Sequence, residues 1–310
     1  MGHVPSPAPR QPLRPRPATP VALLVAVTAV WGSTFVIVKA ALARMAVMDF
    51  LAWRFVLATL VMVAIRPRAI LSLSRRGWWQ GGLLGLALGG GYVTQTFGLE
   101  HTSAAVSGFV TGMFVVFTPL ISGLLLRRRI STPARAATLV AATGLAIIAL
   151  AGGGGSGTSG GGLGGSGLGL GVWLTLGCAF FYAVQIVGLG EWSSEHDPFA
   201  LAIVQLLTAA ACCVLAAAPS TLRPPPDAGV WAAVAVTAVL ATAVAFLIQT
   251  WAQALMPPTR AAIVMTMEPV FAGISAAVAG EQLGWGVLAG GALVLAAMYL
   301  VELAPRRAAP

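Results

Sequence analysis

Met267-Glu268-Pro269-Val270-Phe271 lies in the middle of an apolar run from about Thr259 to Gly280. A run of roughly twenty apolar residues spans the hydrocarbon core of a bilayer as a helix. The pattern therefore places the Glu268 carboxyl group near the bilayer midplane, and Pro269 removes a backbone donor beside it. A charge at that depth costs several kcal/mol, which makes this carboxyl group a candidate functional site. The alternative is a carboxyl group that stays neutral, or pairs with a neighbour, for packing.

The composition of the whole chain indicates a polytopic membrane protein. The 310 residues are 58% hydrophobic and 9% charged, whereas soluble domains carry about 25% charged residues. The net charge of +9 comes mostly from arginines in short segments between apolar runs, where they set topology, so we expect no nucleic-acid partner. Cys178, Cys212 and Cys213 lie within apolar runs without any Cys/His cluster, so we expect no metal, disulfide or cofactor.

Ten apolar runs predict an all-α protein with ten transmembrane helices. The expected organisation is a disordered tail at 1–20, a five-helix repeat at 21–151, a Gly-rich flexible linker at 152–167, a second five-helix repeat at 168–304 and a tail at 305–310. The ten runs, called spans one to ten, are expected at about 21–42, 48–65, 78–99, 104–126, 134–151, 168–190, 198–218, 229–252, 259–280 and 284–304.

The positions of the arginines orient these spans. Arginines concentrate in the N-terminal tail, after span two, after span four and in the C-terminal tail, which all lie on one side if there are ten spans. The positive-inside rule then predicts a multi-pass protein of the plasma membrane with both termini in the cytoplasm. The segment after span six fits poorly because it is acidic, with Glu191, Glu195 and Asp197. Acidic residues contribute little to this rule, so the topology stands.

The two halves carry matching motifs. Gln95-Thr96-Phe97 in span three matches Gln249-Thr250-Trp251 in span eight, and Thr118-Pro119-Leu120 in span four matches Glu268-Pro269-Val270 in span nine. Because five is an odd number, the second copy enters the membrane from the opposite face. The prediction is an inverted-topology repeat, which is typical of secondary transporters and places the site near the midplane between the repeats.

Several short motifs follow one another in a fixed order across the ten spans. They are Trp31-Gly32-Ser33-Thr34-Phe35 leading to Lys39, Arg54-Phe55, Thr102-Ser103-Ala104-Ala105, Phe117-Thr118-Pro119, Pro258-Thr259-Arg260-Ala261-Ala262, Glu268-Pro269-Val270-Phe271-Ala272 and Gly280-Glu281. By these motifs the chain resembles EamA-type transporters of the drug/metabolite transporter (DMT) superfamily over about residues 20 to 304. The resemblance implies two inverted halves, a central cavity and export of small metabolites. Arg127-Arg128-Arg129 departs from it, because the family pattern often carries a glutamate there.

Spans one, three, four, six, eight and nine line the cavity in the proteins that this chain resembles. Polar and aromatic residues on these spans are therefore the candidates for a substrate or proton pathway. They are Glu268, Trp31, Lys39, Gln95, Ser107, Thr111, Phe114, Thr118, Tyr182, Gln185 and Gln249. The prolines Pro119 and Pro269 are the candidate helix hinges, because proline interrupts the helical hydrogen bonds.

Each of these candidates has a structural alternative. Span four has a mildly polar stripe at helical spacing, formed by Ser107, Thr111, Phe114 and Thr118. Such a stripe either lines water or bonds to a neighbouring helix. Gln95 and Gln249 can both donate and accept, so they either bind a solute or join helices. Trp31 is either cavity wall or packing.

Two basic side chains are expected in the outer part of the membrane. Lys39 lies late in span one, where its amine can snorkel to the headgroups. Glu268 lies roughly 10–15 Å deeper by helix rise, so no direct ion pair with Lys39 is expected. Arg54 is interpreted as snorkelling or as pairing with Asp49.

The expected function is a secondary transporter that moves a small metabolite or drug-like solute by alternating access, as an exporter. Its partners would be that solute and the lipid bilayer, with possible proton coupling, and the chain would be a monomer or homodimer. The alternative is an intramembrane enzyme or a sensor subunit. An enzyme is disfavoured because His3, His101 and His196 lie in the tail and in loops, away from any serine at membrane depth.

Overall fold

The computed structural model describes residues 18–125, 132–151, 169–218, 222–256 and 258–303. Within these ranges the chain forms ten helical spans and no strand. The expected linker at 152–167, the tail at 305–310 and most of the tail at 1–20 lie outside the described residues, as does Arg127-Arg128-Arg129.

The first half contains spans one to five, and a 3-10 turn at Ala69–Ser72 follows the second of them. Span four is divided into two helices by Gly112 and Met113. The helices are α1 (Ala18–Leu42), α2 (Val47–Ile65), α3 (Arg75–Glu100), α4 (Ala104–Thr111) with α5 (Phe114–Leu125), and α6 (Thr132–Ala151).

The second half repeats this plan, and span nine is divided by Met265 and Thr266. Span eight is continuous but contains a π-helical turn at Val239–Val244. The helices are α7 (Leu170–Trp192), α8 (Pro198–Ala217), α9 (Ala228–Ala238) with α10 (Ala245–Gln253), α11 (Pro258–Val264) with α12 (Met267–Val278), and α13 (Trp285–Leu303). Six helical segments among the described residues are long and apolar enough to cross a membrane by length and composition.

Several spans of each half pack on spans of the other half. Span five packs on span ten, span two on span seven, and span four on span nine. Span four also packs on span six, and span nine on span one in the corresponding way. These contacts are those of two inverted five-helix repeats, which confirms the predicted fold class and leaves a space between the halves.

Glycines allow α3 to approach α8 closely. A Cβ atom on Gly81 would lie 2.8 Å from a Val204 methyl carbon, and one on Gly85 would lie 2.6 Å from the Gln205 carbonyl oxygen. Neither position could carry a side chain without moving a neighbour. Small residues at such a contact let two membrane helices gain van der Waals packing along their backbones.

The acidic segment after span six meets the basic segment after span two at one end of the bundle. Arg66 forms an ion pair with Asp197 at 2.8 Å, and Arg76 forms one with Glu195 at 3.4 Å. Exposed ion pairs add little stability, but these two locate both segments at the same end. Acidic residues that looked inconsistent with the arginine pattern are therefore the partners of those arginines.

Candidate functional site

A cavity lies between the two halves, with walls from spans one, two, three, four, six, eight and nine. The centres of water molecules can occupy about 50 Å³ of it, which is room for a few waters and well below the roughly 300 Å³ of a drug-sized site. In this conformation the cavity is narrow. Its wall is formed by Trp31, Thr34, Phe35, Val38, Arg54, Tyr92, Gln95, Thr96, Leu99, Phe114, Tyr182, Gln185, Ile186, Phe246, Gln249, Met265 and Glu268.

The cavity brings together seven of the eleven pathway residues expected from the sequence. These are Trp31, Gln95, Phe114, Tyr182, Gln185, Gln249 and Glu268. The other four, Lys39, Ser107, Thr111 and Thr118, are not part of its wall.

Glu268 lies in the first turn of α12, and its residue is 5% exposed. Among the described residues, no side chain donates a hydrogen bond to its carboxyl group or forms an ion pair with it. Helix α1 approaches closely here, since a Cβ atom on Gly32 would lie 2.8 Å from the Glu268 carbonyl oxygen. The first turn of a helix also exposes unpaired backbone N–H groups, which favour a nearby carboxylate. Among the described residues the Glu268 carboxyl group is therefore buried, and no other side chain compensates its charge.

The prolines of spans four and nine occupy different places relative to the breaks. Pro269 is in the first turn of α12, where a missing N–H breaks no helical hydrogen bond. Pro119 is inside α5, beyond the break at Gly112 and Met113. Both candidate hinges therefore lie within one or two turns of an interrupted helix.

A chain of glutamines extends from the cavity wall between spans six, seven and eight. The amide of Gln249 donates to Gln185 at 3.3 Å and to Gln253 at 3.1 Å. Gln185 in turn donates to Gln205 at 3.0 Å, and Gln253 donates to the Ile186 carbonyl at 3.0 Å. Within the described residues the amide oxygen of Gln249 accepts no hydrogen bond, so it remains available as an acceptor.

Gln95 is held by hydroxyl groups instead of amides. The Tyr182 hydroxyl donates to its oxygen at 3.2 Å, and its nitrogen donates to Thr111 at 3.2 Å. Thr111 is therefore one step behind the wall and joins span four to span three. Thr118 donates to the Phe114 carbonyl of its own helix at 2.7 Å. In the polar stripe of span four, Thr111 thus joins two helices, Thr118 bonds within its own helix, and Phe114 is the member in the cavity wall. The buried Ser107 hydroxyl has no hydrogen-bond partner among the described residues.

The interpretation of Arg54 as snorkelling, or as paired with Asp49, was wrong. Arg54 is 3% exposed and lines the cavity. Its Nε donates to the Thr242 hydroxyl at 2.8 Å, and its Nη2 donates to the Tyr92 hydroxyl at 3.1 Å. The guanidinium carbon also lies 4.5 Å from the centre of the Tyr92 ring. An arginine inside a span carries the same signal of function as Glu268, and that signal could have identified it.

The π-helical turn of span eight organises one wall of the cavity. The indole N–H of Trp31 donates to the Ala241 carbonyl at 2.7 Å, and Thr242 receives the Arg54 bond one residue later. The centroid of the Trp31 ring lies 5.4 Å from the centroid of the Phe246 ring. A π-helical turn displaces the helical hydrogen bonds, and such turns are frequent at functional sites.

Hydrogen bonds at the ends of spans one, four and nine close the bundle beyond the cavity. The amine of Lys39 donates to the Thr102 carbonyl at 2.5 Å. The Glu281 carboxylate accepts from the backbone N–H groups of Ala104 at 3.0 Å and Ala105 at 3.2 Å. Gly280 makes the turn before it with a φ of +89°, a conformation that favours glycine.

An apolar helical bundle with a cavity between two inverted halves is typical of multi-pass membrane transporters. The model of the EamA-like transporter family matches residues 19–150 and 169–303, which are the two five-helix repeats. The chain therefore belongs to the EamA-like transporter family, within the DMT superfamily.

Two individual proteins are similar to this chain. An uncharacterized transporter of Archaeoglobus fulgidus is 30% identical over 283 residues, which cover 90% of this chain and 84% of that protein. A solved structure, described as the crystal structure of a protein, has a TM-score of 0.66 and 19% sequence identity, and the match covers 93% of this chain and 98% of that one. The second likeness supports the fold alone.

Proposed function

We propose that this protein is a secondary transporter that exports a small metabolite or drug-like solute across the plasma membrane by alternating access. The observation that carries the proposal is the buried Glu268 carboxyl group in the cavity between the two halves. A carboxyl group in that place can take up a proton or a solute from either side as the halves move.

Glu268 acts as the proton-binding group in this proposal. Burial disfavours the charged form of a carboxyl group, and among the described residues Glu268 has no cationic partner to oppose that effect. The group would release its proton only when water or a solute cation enters the cavity. Exchange of a proton for solute at one carboxyl group couples the two movements.

The broken spans supply the movement in this proposal. Spans four and nine are interrupted at 112–113 and 265–266, and the two spans pack against each other. A change of angle at these breaks, with Pro119 and Pro269 as hinges, would open one end of the cavity while closing the other.

The first experiment identifies the solute and its direction. Metabolites in the medium of cells that produce the protein are compared with those of cells that do not. A solute that accumulates in the medium only with the protein supports export, and a solute depleted from the medium would show uptake instead. A solute of altered mass would show an enzyme, which we propose this protein is not.

The second experiment tests coupling in vesicles with the solute identified above. Glu268→Gln keeps shape and hydrogen bonding but removes titration. The variant should exchange solute across the membrane yet lose accumulation driven by a pH gradient. Glu100→Gln, an exposed carboxyl group at the end of α3, is the matched control and should behave as the wild type. Normal accumulation by Glu268→Gln would contradict proton coupling, and selective loss of cationic solutes would identify Glu268 as a counter-ion.

The orientation is tested by labelling cysteines with a reagent that does not cross the membrane. After replacement of the three native cysteines, Leu71→Cys reports on the segment after span two, where Leu71 is 80% exposed. Gln282→Cys reports on the opposite end, near Glu281. Labelling of position 282 in intact cells, and of position 71 only after permeabilisation, is the expected result. The reverse pattern would invert the topology.

A further inference from the structure

The guanidinium group of Arg54 lies in the cavity wall with neutral partners. A guanidinium has five N–H donors and is not deprotonated in proteins. Among the described residues its hydrogen-bond partners are the hydroxyl groups of Thr242 and Tyr92, which occupy two of those donors. In the described part of the chain no carboxylate forms an ion pair with it. A permanent positive charge with three further donors therefore lies in the cavity wall.

Burial of this charge is energetically unfavourable, and hydrogen bonds hold the Arg54 side chain in place. Arg54 is 3% exposed, so it is not solvated in the way that a snorkelling side chain is. A charge without a counter-ion in such surroundings is strongly unfavourable. The Thr242 hydroxyl that accepts from Arg54 donates to the Thr237 carbonyl at 2.9 Å, a bond that spans five residues across the π-helical turn. The helix irregularity of span eight thus serves to orient Arg54.

We propose that Arg54 binds a carboxylate, or a chemically similar oxyanion, on the solute. Guanidinium groups pair with carboxylates through two parallel N–H···O bonds, which gives geometry as well as charge. The inference rests on the proposed function only in taking the occupant to be the transported solute. Aromatic rings of Trp31, Tyr92 and Phe246 surround the same space and suit an apolar remainder of the solute.

Charge balance agrees with this assignment. When Glu268 holds a proton, the cavity carries the single positive charge of Arg54, and a bound carboxylate makes it neutral. When Glu268 is ionised, the two side chains stand apart as opposite charges without a direct bond.

The experiment compares two probes of one shape and different charge. Sodium benzoate and benzamide are titrated by calorimetry into the purified full-length protein in lipid nanodiscs at constant ionic strength. The wild type should bind benzoate at least about tenfold more tightly than benzamide, as expected for charge-assisted hydrogen bonds in a desolvated site. Equal affinities, or no saturable binding of benzoate, would overturn the proposal.

Two variants test whether the preference for benzoate over benzamide comes from Arg54. Arg54→Gln keeps donors for Thr242 and Tyr92 but removes the charge, and its preference for benzoate should fall to about one. Arg44→Met removes an exposed arginine that pairs with Asp227 at the end of the bundle, and it should keep the full preference. Gel filtration checks that both variants are folded. If Arg54→Gln is not folded, Arg54→Lys replaces it, and its preference should fall several-fold because the planar fork is lost. An undiminished preference in the folded variant would overturn the proposal.

Binding at equilibrium also separates this inference from the proposed function. A preference for benzoate that depends on Arg54 can be observed without transport. If Glu268→Gln then fails its vesicle test, coupling through Glu268 is wrong while the anion site stands. If transport is coupled through Glu268 but the benzoate preference is absent, only the role of Arg54 is wrong.

Discussion

Spans four and nine occupy equivalent places in the two halves, yet they present different chemistry to the cavity. Each is two helices divided by two residues, and each carries a proline after a polar residue, in Thr118-Pro119 and Glu268-Pro269. The Thr118 hydroxyl is satisfied by its own helix. The Glu268 carboxyl group has no partner among the described side chains and lines the cavity.

The difference shows how short and long polar side chains find hydrogen-bond partners inside a membrane protein. A threonine hydroxyl can reach the carbonyl one turn back, so it needs neither water nor a neighbour. A carboxyl group offers no donor when ionised, and it must find partners elsewhere or remain neutral. Repeat symmetry therefore conserves the backbone plan of a span while the two copies specialise in opposite ways.

The largest expected effect comes from the contact between these two spans. A Cβ atom on Gly108 of span four would collide with Ala272 of span nine. Gly108→Leu should therefore lower the free energy of unfolding in detergent by about 3 kcal/mol or prevent folding, as overpacking at a backbone contact does. Gly82→Leu is the matched control, since a Cβ atom there meets nothing within 4 Å. Equal stability of the two variants would show that spans four and nine are not in contact in the membrane.

The paired glutamines of spans three and eight give a second comparison between the halves. Gln249→Leu would leave the side-chain oxygens of Gln185 and Gln253 without their present donor, at a cost of about 1–3 kcal/mol. Gln95→Leu would leave one Tyr182 donor without its acceptor, and we expect about 1 kcal/mol. Chemical unfolding of both variants in the same detergent measures the difference. A larger loss of unfolding free energy for Gln95→Leu than for Gln249→Leu would contradict this prediction.

A smaller effect is expected where span nine ends on the beginning of span four. Glu281→Ala removes the acceptor of two backbone N–H groups at the start of α4. The loss should be about 1 kcal/mol, which is typical of a helix cap. Gln282→Ala changes the exposed neighbour and should have no measurable effect. Thermal unfolding of the two variants side by side tests this, and indistinguishable curves would mean that the cap contributes nothing.

The smallest effect is expected at Thr118, the counterpart of Glu268. Thr118→Val removes a hydroxyl that is bonded within its own helix, so stability should fall by only about 0.5 kcal/mol, the low end for an intramolecular hydrogen bond. Transport in vesicles should stay within about twofold of the wild type. A loss comparable to that of Glu268→Gln would mean that span four contributes a polar group to the pathway after all.

The sequence was sufficient to predict the architecture, because the hydropathy pattern identifies the spans and the order of the motifs identifies the repeats. Through the family resemblance it also indicated six of the seven spans that surround the cavity, and it missed span two, which contributes Arg54. It left two alternatives open for Thr111 and Thr118, because helical periodicity shows which side chains share a face but not which helix that face meets. The position of Arg54 in the cavity wall depends on its hydrogen bond to Thr242 in the π-helical turn. No residue pattern in Val239–Val244 predicts that turn.

Lys39 gives this transporter a natural chemical handle. It is the single lysine among the 310 residues, so an acylating reagent has one side-chain amine to modify. That amine is held by the Thr102 carbonyl where spans one and four meet. Separation of those spans would free the amine, and the rate of acylation would then report how often this end of the bundle opens. Mass spectrometry of the unmodified wild-type protein could thus time the opening without any engineered probe.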